Sequence, residues 1–209
     1  MQMYEHVIWD FDGTLYDTYP SMVGAVAFAL EKREKPVDDA EILSLFKVSA
    51  NAALSHYMEK YGLNEDFLAD YRARRRQIEL DACRPYPDAP ALLSEIVARG
   101  GYNYIFTHRG DTLFPMLSRY GIDALFRECV TARSGFPRKP DPAGLDYLIE
   151  KYAVAPGTAI MVGDRELDIL AGRDAGIFTC DYWDGSGPRV DAADFVARDF
   201  GELRRIIFA

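Results

Sequence analysis

The stretch VIWDFDGTLYDT, residues 7–18, decides how the chain is read. Its opening is β-branched and aromatic, too short for a helix, and closed by Asp-Gly, so HVIWDF reads as a short buried strand. Two carboxylates then follow, Asp10 and Asp12, separated by one phenylalanine, with Gly13 and Thr14 directly behind them. Standing alone, Asp-Gly after a strand signals only a turn. The rest of the chain must say whether these acids do more.

Similar apolar runs recur downstream: YNYIFT ending at Thr107, ECVTA ending near Ala132, TAIMVG ending at Gly163, and IFTCDYW ending near Trp183. Between them lie helical patterns: APALLSEIVARG, stopped by Gly100; DTLFPMLSRYG, with Asp111 as its N-cap; DPAGLDYLIEKY; and LDILAGRDAG. Strands alternating with helices predict an α/β fold with a doubly wound parallel sheet. One connection is out of proportion. From Gly13 to Pro85 there is no strand signal, only helical periodicity in four pieces: SMVGAVAFALEKR, DDAEILSLFK, ANAALSHYMEKYG and EDFLADYRARRRQIELDA. That is too long for a loop, and predicts a helical domain over 15–85 inserted into a sheet domain made of 1–14 and 86–209. The prolines of RPYPDAP mark the return.

Composition narrows the function classes. The 209 residues are 49% hydrophobic and 13% aromatic, enough for one good-sized core and a smaller appended unit. Lys and Arg total 24 against 33 Asp and Glu, and the net charge of -9 disfavours nucleic acid and anionic membranes as partners. An anionic substrate needs a local counter-charge. Cys83, Cys129 and Cys180 are scattered without CxxC spacing and read as reduced thiols of a cytoplasmic protein. No segment has signal-peptide or membrane-spanning character. The sequence leaves the oligomeric state open, with a monomer or weak dimer the forms considered.

In doubly wound sheets, ligands bind beyond the carboxyl ends of the strands. Those ends carry Asp10 and Asp12, Thr107, and Asp164 with Asp168 four residues later; Lys139, in RKPDP, precedes the helix that starts near Asp141. Such carboxylates cannot stay ionised together in a drying pocket without a cation, because each raises the pKa of the others. A hard divalent ion with oxygen ligands fits, and Mg²⁺ is the expected cofactor. Helix capping accounts for part of Asp168.

The set DFDGTL (Asp10 to Leu15), Thr107, Lys139 in KPDP and GDRELD (Gly163 to Asp168) resembles the haloacid dehalogenase superfamily in its motifs and their order. The helical insert resembles the cap of the phosphoglycolate phosphatase and β-phosphoglucomutase branch. The resemblance implies a Rossmann-like core with sheet order 5-4-1-2-3. It also implies a Mg²⁺-dependent phosphatase of small phosphorylated metabolites such as phosphoglycolate, sugar phosphates or nucleotides. Asp10 is then the nucleophile that forms an aspartyl-phosphate. Asp12 protonates the leaving group and afterwards takes a proton from water. Asp10 and Asp164 ligate the metal through carboxylates and Asp12 through its carbonyl, with Asp168 supporting. Lys139 offsets charge, and Thr107 holds phosphoryl oxygens with backbone amides near Gly13 and Thr14.

Two positions depart from the family pattern. His108 stands where asparagine is common, followed by Arg109; both are candidate substrate contacts, with packing an equal alternative for the histidine. Arg165 follows Gly-Asp where a small residue is common, and is expected to pair with a neighbouring acid at the surface. In the insert, YRARRRQ reads as a solvated helix face. Lys47, just before the Ser49 that opens the next helix, is the better candidate for contacting a substrate's leaving group. A phosphomutase shares every catalytic motif and stays open as an alternative, as does a non-catalytic binding role.

Overall fold

The computed structural model describes residues 4–185 and 189–209. The chain divides into two compact units, one of Met1–Tyr16 with Pro85–Ala209 and the other of Asp17–Arg84.

The first unit is built on a six-stranded parallel sheet ordered β5-β4-β1-β6-β7-β8. Its strands are β1 (His6–Trp9), β4 (Tyr102–Phe106), β5 (Phe126–Val130), β6 (Ala159–Gly163), β7 (Phe178–Tyr182) and β8 (Phe195–Ala197). Five of them stand in the expected 5-4-1-2-3 order. The sixth, β8, extends the sheet past β7 where none was expected; three residues are too few to display a period. Two further short strands, β2 (Tyr16–Asp17) and β3 (Arg84–Pro85), lie where the chain crosses between the units and form a two-stranded sheet, in a region where no strand signal had been read.

Alternation along the strands sorts the side chains to two faces. Ile8, Tyr104, Phe106, Ala159 and Met161 face α7 (Ala143–Tyr152) and α8 (Glu166–Asp174), with Leu145, Leu148 and Ala171 completing one core. The opposite parity meets α5 (Ala89–Ala98) and α9 (Phe200–Ile207). Asn103 is fully buried there, and its four-cornered polarity is satisfied: it accepts from Trp9 Nε1 at 3.0 Å and donates to the carbonyls of Leu93 and Leu125 at 3.0 and 3.2 Å. Trp9 also stacks on Phe200 of α9. Helix α6 (Leu113–Arg119) begins after Thr112 rather than being capped by Asp111, whose carboxylate instead pairs with Arg133.

The second unit contains four helices that match the four periodic pieces: α1 (Tyr19–Glu31), α2 (Asp39–Val48), α3 (Ala50–Tyr61) and α4 (Glu65–Ala82). Their starts are chemically marked, since Asp38, Ser49 and Asn64 each accept hydrogen bonds from backbone N–H groups of α2, α3 and α4. Met22, Val26, Leu30, Ile42, Phe46, Tyr57 and Phe67 form the shared core, each such burial contributing about 1.5–3 kcal/mol before entropy is charged against it. YRARRRQ is not uniformly solvated. Arg75 pairs with the buried Glu79 at 3.0 Å and Arg74 lies over the Phe28 ring. Among the described residues, no helix is long and apolar enough to cross a membrane, and the three cysteines are free thiols.

Candidate active site

Register brings the acids together. Trp9 stands opposite both Ile105 of β4 and Val162 of β6, so the residues one step beyond these strands share one rim of the sheet. Asp10 N donates to Val162 O at 2.8 Å, which carries the β1 ladder to the rim itself, and Thr107 N likewise donates to Val130 O at 2.9 Å. Asp164 leaves β6 one residue beyond the level of Asp10. Oxygens of Asp10, Asp164 and Asp168 lie within 4.8 Å of one another, all three residues buried.

Two cations balance this cluster. Lys139 Nζ is 2.7 Å from Asp10 Oδ1 and 2.5 Å from Asp168 Oδ1, and donates to Phe106 O at 2.8 Å. Arg165 donates to Asp10 Oδ2 at 3.1 Å and faces Asp164 at 3.8 Å and Asp168 at 3.7 Å. Burial opposes ionisation of Asp10, yet Lys139 and Arg165 outweigh it and its pKa lies below the ordinary value. Asp168 goes the other way. Burial first, and then the charge on Asp10, push it up to about 6. A cation among these oxygens would relieve that repulsion, and an all-oxygen donor set suits Mg²⁺. The residues present therefore fit the metal.

Asp12 differs from its neighbours in reaching solvent, its side chain being 14% exposed while Phe11 and Thr14 are buried. Gly13 turns the chain at φ 84, a conformation that a side chain would strain, and its N–H donates to Tyr16 O at 2.8 Å. Thr14 Oγ1 donates to Asp164 Oδ1 at 3.4 Å. Thr107 Oγ1 accepts from Arg109 N at 3.1 Å. Asp168 Oδ2 accepts from Arg165 N at 3.2 Å, the helix-capping contact, while its other oxygen takes Lys139.

The departures from the family pattern all have places here. His108 Nε2 accepts from the backbone N–H of Lys139 at 2.7 Å, so it is a neutral acceptor that holds the loop carrying the lysine. Arg109 reaches Asp12. Arg165 meets acids as expected, but inside the cluster, with its side chain only 10% exposed. Lys47 belongs to the helical unit, where its ammonium lies 4.6 Å over the Tyr19 ring. Sequence reasoning missed Arg165 as a partner of Asp10 and Phe106 O as an anchor of Lys139. The signal for the first was present in a cation placed between Asp164 and Asp168. A surface hollow of about 610 Å³ at Tyr4, Phe195, Val196 and Arg205 holds no such cluster.

Comparison with known proteins agrees with this arrangement. The chain is 28% identical to a phosphoglycolate phosphatase of Vibrio parahaemolyticus over 96% of this chain and 95% of the relative, and 26% identical to one of Vibrio cholerae over 99% and 98%. Its fold matches the crystal structure of a predicted phosphoglycolate phosphatase from Haemophilus somnus, with TM-score 0.83, 23% identity and 99% of each chain covered. A hydrolase from Streptococcus pneumoniae matches with TM-score 0.65 and 33% identity, over 86% of this chain and 92% of that one. The family model for haloacid dehalogenase-like hydrolases matches residues 7–181, from the first strand through the last acid of β7. With the motifs, the sheet order and the matched span in agreement, the chain belongs to the haloacid dehalogenase-like hydrolase family.

Proposed function

We propose that this hydrolase is a phosphatase of small phosphomonoesters that uses Asp10 as nucleophile and Mg²⁺ as cofactor, with 2-phosphoglycolate the first substrate to test. The observation that carries the reading is Asp10 itself: a fully buried carboxylate kept ionised at the rim of the sheet, one oxygen 2.7 Å from Lys139 and the other acids within reach. A carboxylate so held is a preorganised nucleophile.

In the first step an oxygen of Asp10 bonds to phosphorus, the ester P–O bond breaks, and Asp12 gives its proton to the departing oxygen. In the second, water attacks phosphorus and Asp12 takes its proton, the bond from phosphorus to Asp10 breaks, and inorganic phosphate leaves with the Asp10 carboxylate restored. Lys139 offsets the repulsion between the carboxylate and the phosphate, which is about 4 kcal/mol for each pair of unit charges at ~4 Å in a medium of effective dielectric near ~20. Asp10, Asp164 and the backbone carbonyl of Asp12 would hold Mg²⁺, with Asp168 in support. The ion, when bound, adds counter-charge for the transferring phosphoryl group. Sugar phosphates and nucleotides remain in the substrate class. Three unbridged cysteines suit a reducing cytoplasm, and the net charge of -9 argues against a polyanionic partner.

The test is phosphate release from a panel of phosphorylated metabolites and an aryl phosphate, with Mg²⁺ and with chelator, for the wild type and Asp10→Asn. Release that needs both Mg²⁺ and Asp10 is expected. Release that persists in Asp10→Asn would remove the proposed nucleophile.

A further inference from the structure

Arg109 carries a permanent charge into the interior, its side chain being 2% exposed. Several contacts fix the guanidinium: Nη1 donates to Thr112 Oγ1 at 2.9 Å and lies 3.4 Å from Met116 Sδ, and Cζ sits 5.0 Å over the Phe11 ring. The backbone is pinned too. Its N–H donates to Thr107 Oγ1 at 3.1 Å and its carbonyl accepts from Ala132 N at 3.0 Å. From this platform Nη2 donates to Asp12 Oδ1.

A buried guanidinium left without an acceptor is costly, and Asp12 Oδ1 can accept from it whether the carboxyl is ionised or protonated. The pair therefore holds Asp12 in one direction, because Arg109 itself cannot move without losing Thr112, Met116 and the ring. Phe11 strengthens the coupling. It is the residue between Asp10 and Asp12, and its face carries the guanidinium, so Asp12 is held through its backbone and through its carboxyl at once. Planar, forked Arg suits this role in a way that Lys does not.

We propose that Arg109 is a positioning residue for proton transfer: by binding Asp12 Oδ1 it fixes the orientation of the carboxyl that carries the proton to the departing ester oxygen. The inference rests on the phosphatase reading. As the bond from Asp10 to phosphorus forms, the electron pair of the breaking ester bond goes to the leaving oxygen, which receives the proton from Asp12. Arg109 itself exchanges no proton.

The experiment compares kcat/KM for 2-phosphoglycolate, whose alkoxide leaving group needs a proton, with that for p-nitrophenyl phosphate, whose leaving group does not. Loss of oriented acid catalysis in Arg109→Gln should lower the alkyl value by about 10²-fold and the aryl value by less than about threefold. Arg109→Lys, which keeps the charge and guards against a folding failure, should show the same selectivity in smaller measure. Combining Arg109→Gln with Asp12→Asn should cost no more on the alkyl ester than Asp12→Asn alone. Equal losses on both esters, or additive losses in the double variant, would overturn the role. A wild type with no Asp10-dependent phosphate release on either ester would instead defeat the phosphatase reading beneath it.

Discussion

His108 shows how one side chain can serve a catalytic group without touching substrate. The ammonium of Lys139 is useful only where it meets Asp10, and the loop that bears it is tied down by the hydrogen bond from Lys139 N to His108 Nε2. An imidazole nitrogen can accept that bond only when neutral. Burial, then the charges of Lys139 and Arg138, lower the His108 pKa from 6.5 to about 3. In the unfolded chain the imidazole takes up a proton below 6.5, whereas in the folded chain it resists until about 3. Folding stability from this source is therefore complete above the unfolded value and declines as pH falls toward the folded one. Urea unfolding of the wild type should lose about 2 kcal/mol more than His108→Asn between neutral pH and about pH 4.5, and parallel pH slopes for the two proteins would rule the bond out as a determinant. The same locus marks a limit of sequence reading. Asp10, Asp12, Thr107 and Asp164 were legible because their types follow strand ends in a fixed order, and Lys139 because it stands in the KPDP that precedes the next helix. The partners of His108, Arg109 and Arg165 were not, since which group each reaches depends on how β4 and β6 register against β1.

Between elements, the turn from β6 into α8 is where packing and chemistry are least separable. Asp168 sits on the first turn of α8 and folds back so closely that a Cβ on Gly163 would lie 2.3 Å from its Cβ and 2.5 Å from its Cγ. Only glycine leaves room for the acid that receives Lys139 at 2.5 Å. Gly163→Ala should destabilise the fold by about 1–3 kcal/mol, as overpacking does. It should also lower turnover of an aryl phosphate, because displacing Asp168 displaces Lys139. Gly172→Ala provides the control: its Cβ would meet Thr179 Cγ2 at 2.6 Å and Met161 Cβ at 3.0 Å, on the same helix but against apolar atoms. It should cost stability in denaturant while turnover, measured where the protein is folded, is retained. If both variants lost activity alike, the link through Asp168 would fail. Most of these elements could be read from the chain, because β1, β4, β6 and β7 are apolar runs closed by turn residues and the helices show apolar periodicity, with side-chain caps at α2, α3 and α4. The last ones escaped for different reasons. β8 is too short to show a period, but α9 was announced: Asp199 caps it by accepting from Glu202 N at 2.7 Å, and Phe200, Leu203 and Ile207 fall on one buried face.

For the whole molecule, the balance of charge sets what a divalent cation should do to stability. The chain carries a net charge of -9, and self-repulsion of that size is relieved by any dissolved salt. A specific ion differs in binding the folded state alone, since only folding gathers Asp10 from the end of β1, Asp164 from the end of β6 and Asp168 from the first turn of α8 within 4.8 Å. Linkage then stabilises the native state by about 2.7 kcal/mol when the ion is at ~100 times its dissociation constant. Mg²⁺ should accordingly raise the thermal midpoint above that seen in KCl of matched ionic strength. Asp164→Asn removes one oxygen anion from the cluster but changes the net charge by a single unit out of nine. It should lose the Mg²⁺ increment and keep the response to KCl. The opposite pattern, in which Mg²⁺ and KCl act alike or Asp164→Asn responds to Mg²⁺ as the wild type does, would assign the effect to general screening and leave the carboxylate cluster without its ion.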